Sequence, residues 1–454
     1  MAIRPRSLIN NSIGSVLASG MLIFSTVLIP AVLARGLTRG QYNAYSLVLA
    51  SLPLMLILPQ SMRSVGATQL ALAIVRHGEK LAIAEYKRFV AKVSLAYVVV
   101  AAVGIEIYVA VSHPVSAAAA ELRFGLYCIL AYTLGLIAAG LVIAPAAAQR
   151  DFLPDNIAKF WPGLFQLGGV ALVWLTRADH PLVWIFLVYI ASSWSIAALL
   201  LTRHGKHLFH AGRLSRPPTQ LNADLLLGLR GVLWWNVTAY LATAAAVMIV
   251  AIGFPAQIVP FSIATSLLGI LSAALGAVAA PIAVHATASR EHAPRARRRF
   301  FLVINTLFQS YIAATTLIIV AAPVSLYALW LTPQLAAEVK TFSLLLLPAS
   351  IIRLLTMNFT IFVMSAGRQH TLWMSPMVEA IMSVVGSIIL GRLFGVTGIP
   401  LALAFSAAVR LTLTALYDEP RNRGPLALAP GDVLLSAWRL IRFHQHLVSV
   451  EHGS

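Results

Sequence analysis

Cysteine is nearly missing from this sequence: there is one, Cys128, in 454 residues. A lone cysteine closes no disulfide within the chain, and it cannot build a cysteine-based metal site. Charge is also scarce, at 11% of residues against about 25% in soluble domains. Acids are the scarcer sign, with 15 Asp and Glu against 33 Lys and Arg. Several chemistries lack their motifs. There is no G-x-x-x-x-G-K-[ST] for ATP and no H-E-x-x-H for a zinc hydrolase. The 12 histidines fall mainly in polar loops and the tail, where they read as solvated residues. No metal-ligand set and no cofactor motif remains.

What is plentiful is apolar: 59% of residues are hydrophobic, above the roughly 45–50% of soluble domains. They come in blocks of about twenty, the length that carries a helix across the hydrocarbon core. The expected fold class is all-α, a polytopic membrane protein of about 12 transmembrane helices. The expected spans are Ile13–Ala34, Ala44–Met62, Val93–Val111, Phe124–Ala147, Trp161–Thr176, Leu182–Leu201, Gly231–Phe254, Ile258–Val284, Phe300–Val324, Phe342–Ala366, Leu372–Leu393 and Val396–Tyr417. The second has the composition to continue toward Val75. The first exceeds a signal-peptide core of about 7–15 residues and reads as a retained helix.

Of the 33 basic residues, 24 lie in the segments that share a side with the N-terminus, six on the other side and three within spans. This bias places both termini in the cytoplasm, with the bacterial inner membrane as the expected location. It also accounts for the net charge of +18 without nucleic acid, because the basic run Arg295, Arg297, Arg298 and Arg299 lies between apolar blocks with no aromatic interleaving. Reporter fusions between Arg203 and Arg230 and after Asp418 are therefore expected to read cytoplasm. An external signal from either would overturn the twelve-span topology.

The linker "RLSRPPTQ" falls near the midpoint. A weak repeat supports a division there. "ARGLTRGQYNAYSLVLASL" after span one aligns with "AIGFPAQIVPFSIATSLL" after span seven, placing Tyr45 on Phe261 and Ser46 on Ser262. Two parallel six-helix lobes follow: residues 1–205 and 229–418, joined by a cytoplasmic linker, 206–228. A cytoplasmic tail, 419–454, carries an amphipathic pattern from Asp432, with Leu434, Leu435, Trp438, Ile441 and Val448 on one face and Arg439, Arg442 and His446 on another. That helix either lies on the inner leaflet or packs on a neighbouring loop.

The candidate functional residues are the charges inside spans. An arginine at the centre of a bilayer helix costs about 2.5–3.5 kcal/mol on insertion scales, yet Arg353 stands mid-span in "LLLLPASIIRLLTMNFTIFVM". It shares a helical face with Ser350, Thr356 and Thr360. Arg410 shares one with Ser406, Thr414 and Tyr417, and Arg63 follows Gln60 by three residues. Such stripes face a bundle interior or a wet cavity. Uncharged stripes run through Ser12, Ser15, Ser19 and Thr26 in span one and through Asn236, Tyr240 and Thr243 in span seven. Glu379 is the matching acid, read either as an ion-pair partner of Arg353 or Arg410 or as a proton- or ion-coupling group. Arg63 reads either as snorkelling or as a cavity residue. A net-positive interior with guanidinium forks suits phosphate or pyrophosphate, with Arg353 leading and Arg410, Arg63, Asn236 and Tyr240 in support.

The span count, the short loops, the two-part repeat and "ARGLTRGQYNAYSLVLASL" together resemble the polysaccharide-export, Wzx-type branch of the multidrug/oligosaccharidyl-lipid/polysaccharide (MOP) superfamily. Arg35, Leu37, Tyr42 and Tyr45 match its pattern, Asn43 stands where glycine is common, and "SMRSVGATQLA" resembles the end of its second helix. The resemblance implies a flippase, not an enzyme, that moves an undecaprenyl-pyrophosphate-linked oligosaccharide through a cationic cavity by alternating access. The implied partners are that polyprenyl-pyrophosphate-linked glycan, membrane lipids, a polysaccharide polymerase and a chain-length regulator. Two alternatives stand beside it. One is a multidrug exporter of the same fold, although span one has no acid. The other is a membrane enzyme of polysaccharide assembly, although "RGLTRGQYN" has no acid and no outer loop has the length of a domain. The loop "AIVRHGEKLAIAEYKRF" does not match a major-facilitator motif.

Overall fold

The computed structural model describes residues 36–111, 116–149, 151–176, 179–205, 219–269, 310–329, 331–365 and 373–418, with individual positions between 14 and 34. Among the described residues all regular structure is helical. In chain order the helices are α1 (Arg39–His77), α2 (Glu79–Val111), α3 (Ser116–Ala148), α4 (Leu153–Leu175), α5 (Pro181–His204), α6 (Thr219–Thr243) and α7 (Ala245–Gly253). There follow α8 (Ile258–Gly269) and α9 (Ser310–Ala321), then α10 (Val324–Ala328), α11 (Pro333–Ser365), α12 (Met374–Phe394) and α13 (Gly398–Leu413). Seven stretches of the described chain are long and apolar enough to cross a membrane. This is a multi-pass helical membrane protein.

Helix positions follow the apolar blocks, and the ends differ for physical reasons. The second expected span runs on as one helix from Arg39 to His77, past the polar Gln60 and Arg63, because helical hydrogen bonding does not stop where lipid does. Its start is a capping box. Gln41 N–H donates to Thr38 Oγ1 (3.4 Å) and Thr38 N–H donates to Gln41 Oε1 (3.1 Å). The polar pair of the "GLTRGQY" motif thus satisfies two helix-end donors. The tenth span begins earlier than its apolar block, at Pro333, and Lys340 Nζ caps the end of α9 by donating to the Ala322 carbonyl (2.7 Å). The fifth expected span forms α4, though it is not among the seven apolar stretches. Most of the linker, the tail, Arg35 and Ser12, Ser15, Ser19 and Thr26 of span one lie outside the described residues.

The helices pack in two groups that meet along α1 and α6. In the first group α1 packs on α3, and α3 on α5; in the second α12 packs on α13, and α13 on α11. Across the groups, α6 packs on both α1 and α12. The two aromatics aligned by the repeat each anchor a core: Tyr45 stacks on Phe186 at 6.4 Å and Phe261 meets Phe342 edge-on at 5.6 Å. Val259 packs into the first of these cores and Leu47 and Ala50 into the second, so the α1 and α8 ends interlock.

Two glycines permit close approach. A Cβ at Gly36 would enter the Trp174 ring, and one at Gly66 would lie 2.6 Å from the Tyr86 hydroxyl and 2.7 Å from its ring. Tyr86 is 1% exposed and cannot swing out. Gly66→Ala is therefore expected to lower stability by about 1–3 kcal/mol, the usual range for overpacking. A melting curve of the detergent-solubilised variant checks this, and an unchanged midpoint would show that α1 and α2 separate easily.

Candidate functional site

The antiparallel pair α12 and α13 is zipped by polar residues spaced four apart. Ser375, Glu379, Ser383 and Ser387 line one face of α12; Ser406, Arg410, Thr414 and Asp418 line the facing side of α13, and all eight are buried. The rungs are Ser383–Ser406 at 2.6 Å, Arg410 Nη1 donating to Glu379 Oε2 at 2.7 Å, and Ser375 donating to Asp418 Oδ2 at 2.6 Å. The four-residue spacing keeps every member on one helical face. The expected stripe ended at Tyr417, but Tyr417 is exposed. The final turn, Thr414–Asp418, is a π turn, and Asp418 is the residue that turns inward.

Arg353 reaches this zipper from α11. Its Nε donates to Glu379 Oε1 (2.6 Å) and its Nη2 to the Ala242 carbonyl (2.5 Å). One carboxylate, 0% exposed, therefore bridges two guanidiniums from two other helices. The ion-pair reading of Glu379 is met by both candidate partners at once. Arg410 also lies over the Trp235 ring, 4.7 Å from its centroid, within the range of a cation–π contact. The Arg410 Nε–H is buried and finds no acceptor among the described residues.

These groups open onto a cavity of about 470 Å³. Its wall comprises Pro53, Ile57 and Gln60 of α1, Trp235 to Thr243 positions of α6, part of α8, and the Arg353, Glu379 and Arg410 cluster. Apart from that cluster the described lining is uncharged, so it carries one net positive charge. Asn236 and Tyr240 are both on the wall. Asn236 Nδ2 donates to Ser61 Oγ (2.8 Å), and the Tyr240 hydroxyl to the Ala50 carbonyl (3.3 Å), each fastening α6 to α1.

Arg63 is elsewhere. It pairs with Asp155 of α4, which also holds Lys159 Nζ at 2.8 Å, and it does not line this cavity. The structure thus joins Arg353, Arg410 and Glu379, places Asn236 and Tyr240 beside them, and separates Arg63. Sequence reasoning missed Trp235 and the Ala242 carbonyl. Trp235 carried a signal, as the neighbour of Asn236 in a span with a polar stripe; a backbone carbonyl carries none. Among the described residues no group of three or more His, Cys, Asp or Glu side chains is placed to hold a metal.

No family model and no curated protein matches the chain. Solved structures do. A MATE in the straight conformation superposes with a TM-score of 0.72 at 11% identity, covering 92% of this chain and 96% of that one. An outward-facing multidrug resistance MATE family transporter of the MOP superfamily gives 0.70 at 10% identity, with coverages of 93% and 96%. A MOP superfamily transporter from Pyrococcus furiosus, whose binding pocket is described as of reverse polarity, gives 0.70 at 10% identity, with coverages of 92% and 95%. The chain shares the polytopic helical membrane fold of these structures. The motif after span one pointed to the polysaccharide-export branch, whereas the likeness here is to MATE-type structures and is one of fold.

Proposed function

We propose that the chain is a flippase that carries an undecaprenyl-pyrophosphate-linked oligosaccharide from the cytoplasmic to the outer leaflet by alternating access, for surface polysaccharide. The observation that carries this reading is the cluster itself: two guanidiniums share one carboxylate, and the Arg410 Nε–H finds no acceptor among the described residues. Two cations over one acid leave unspent positive charge at a cavity wall, and guanidinium forks match phosphate oxygens in geometry. A cationic drug would meet repulsion there. The apolar wall and the uncharged polar groups Gln60, Asn236 and Thr243 suit a sugar head next to that phosphate, while the polyprenyl tail stays in lipid. Arg353 and Arg410 hold the pyrophosphate, Asn236 and Tyr240 flank it, and Glu379 serves as the exchangeable counter-charge through which a proton or ion couples. Arg63, with Asp155, would act from outside this cavity. The lobes 1–205 and 229–418 would rock about the site, with both termini in the cytoplasm of a bacterial inner membrane and a polymerase and chain-length regulator acting downstream.

A second reading, export of drugs, is favoured by structural neighbours described as multidrug resistance transporters. The neighbour with a pocket of reverse polarity, described as suggesting a different function, supports the first. Proteoliposomes separate them. The flippase reading expects a fluorescent undecaprenyl-pyrophosphate disaccharide to cross and ethidium not to. Ethidium transport without lipid-sugar transport would reverse the assignment.

A further inference from the structure

The helix that carries Trp235, Asn236 and Tyr240 is interrupted where its sequence has neither proline nor glycine. The α-helical ladder of α6 ends with Ala244 N–H donating to the Tyr240 carbonyl (2.9 Å), and α7 opens with Val247 N–H donating to the Ala244 carbonyl, only three residues back (3.1 Å). The local sequence is "YLATAAAVMIV". It contains neither proline nor glycine and is rich in alanine, the residue with the lowest helix cost. Kinks arise at proline, at glycine or serine pairs, at π-bulges, or where a side chain enters the ladder. The last applies here. The Ala242 carbonyl accepts from Arg353 Nη2 at 2.5 Å, and beside it Thr243 Oγ1 bonds back to the Ala239 carbonyl at 2.7 Å, a local contact that often bends helices but leaves the Ala242 carbonyl itself to Arg353.

An interruption held by a tertiary contact is reversible in a way that a proline kink is not. Ala242, Thr243 and Ala244 line the same cavity as Arg353, so an anion that enters meets the guanidinium and the interruption together. A carbonyl is a neutral acceptor, and charge-assisted bonds are roughly twice as strong as neutral ones. A phosphate oxygen therefore outcompetes the carbonyl for Nη2. Glu379 keeps hold of Nε, so the guanidinium pivots and does not leave. The Ala242 carbonyl then lacks a donor, and the donor that a continuous helix supplies is the N–H of Ala246, four residues on.

Resting on the anionic substrate proposed above, we propose that Arg353 is an interlock. It holds the α6–α7 interruption through the Ala242 carbonyl, and a pyrophosphate-bearing substrate draws it off, so that α6 and α7 join into one helix. Substrate capture and a change of helix shape become one exchange of hydrogen-bond acceptors.

The test is a spin-label distance between α6 and α7. Leu227 and Ile252 are both 67% exposed and accept labels after cysteine substitution, with the one native thiol removed as Cys128→Ala. In nanodiscs the native sequence is expected to show one distance distribution alone and a shifted one with farnesyl pyrophosphate. Arg353→Ala is expected to show the shifted distribution with no ligand. Ala246→Pro removes the N–H that would close on Ala242, and is expected to bind farnesyl pyrophosphate without any shift. If Arg353→Ala does not fold, the comparison between native sequence and Ala246→Pro carries the test. The interlock is overturned if farnesyl pyrophosphate binds and leaves the native distance unchanged, or if ligand-free Arg353→Ala matches the ligand-free native distribution. A shift in Arg353→Ala with no farnesyl pyrophosphate binding to the native protein would uphold the interlock and remove the pyrophosphate substrate instead.

Discussion

Arg353→Ala is expected to cut export of surface polysaccharide by about 30-fold or more, with normal abundance in the membrane. Breaking a buried, hydrogen-bonded charge contact typically costs about 2–5 kcal/mol, and each 1.4 kcal/mol is about tenfold in affinity. Membrane abundance should hold because Glu379 keeps Arg410 as a partner at 2.7 Å, so the truncation strands no buried charge. Arg353→Lys keeps the charge but loses the fork, and should retain part of the activity. The measurement pairs an immunoblot of membranes with quantified surface glycan. Loss of protein and glycan together would make Arg353 a structural residue. Unchanged glycan in Arg353→Ala would remove it from transport altogether.

Glu379→Gln is expected to act on stability and on coupling at once. It leaves Arg353 and Arg410 facing each other across a neutral amide, inside a seam where Glu379 is 0% exposed. Removing one partner of a buried charge network costs about 3–5 kcal/mol. The melting midpoint should fall, and Arg410→Gln in the same background should recover part of it by removing one stranded cation. Transport that survives should no longer depend on a proton or sodium gradient. A variant that is fully active, gradient-dependent and as stable as the parent would exclude both roles.

Much of this architecture was legible in the residues. Spacing of apolar blocks located the helices, because a bilayer imposes a length on them. Depth within a block singled out Arg353, and the four-residue spacing around Arg410 was visible as a stripe. Their contacts were not. Arg353, Glu379 and Arg410 belong to three helices, and the register between helices is set by packing that no single stripe encodes. Arg63 shows why. In the sequence it is a third cation in an apolar run and joins the other two by likeness. In the fold it meets Asp155, which the sequence placed in a polar loop, because α4 begins with that acid facing α1. The interruption after Thr243 was hard to see for the opposite reason: its local sequence is rich in alanine without proline or glycine, and the donor that holds the Ala242 carbonyl lies 111 residues away.

With the proposed anionic substrate, the charges of the cavity wall, two cations and one anion, would make transport sensitive to voltage. Empty, the site bears one positive charge; holding a pyrophosphate diester, it turns net negative. A membrane potential, negative inside, acts on these two forms in opposite directions, by about 2.3 kcal/mol per charge for each 100 mV crossed in full. The field would push the loaded site outward and draw the empty one back, so both halves of the cycle would run downhill in the same resting cell.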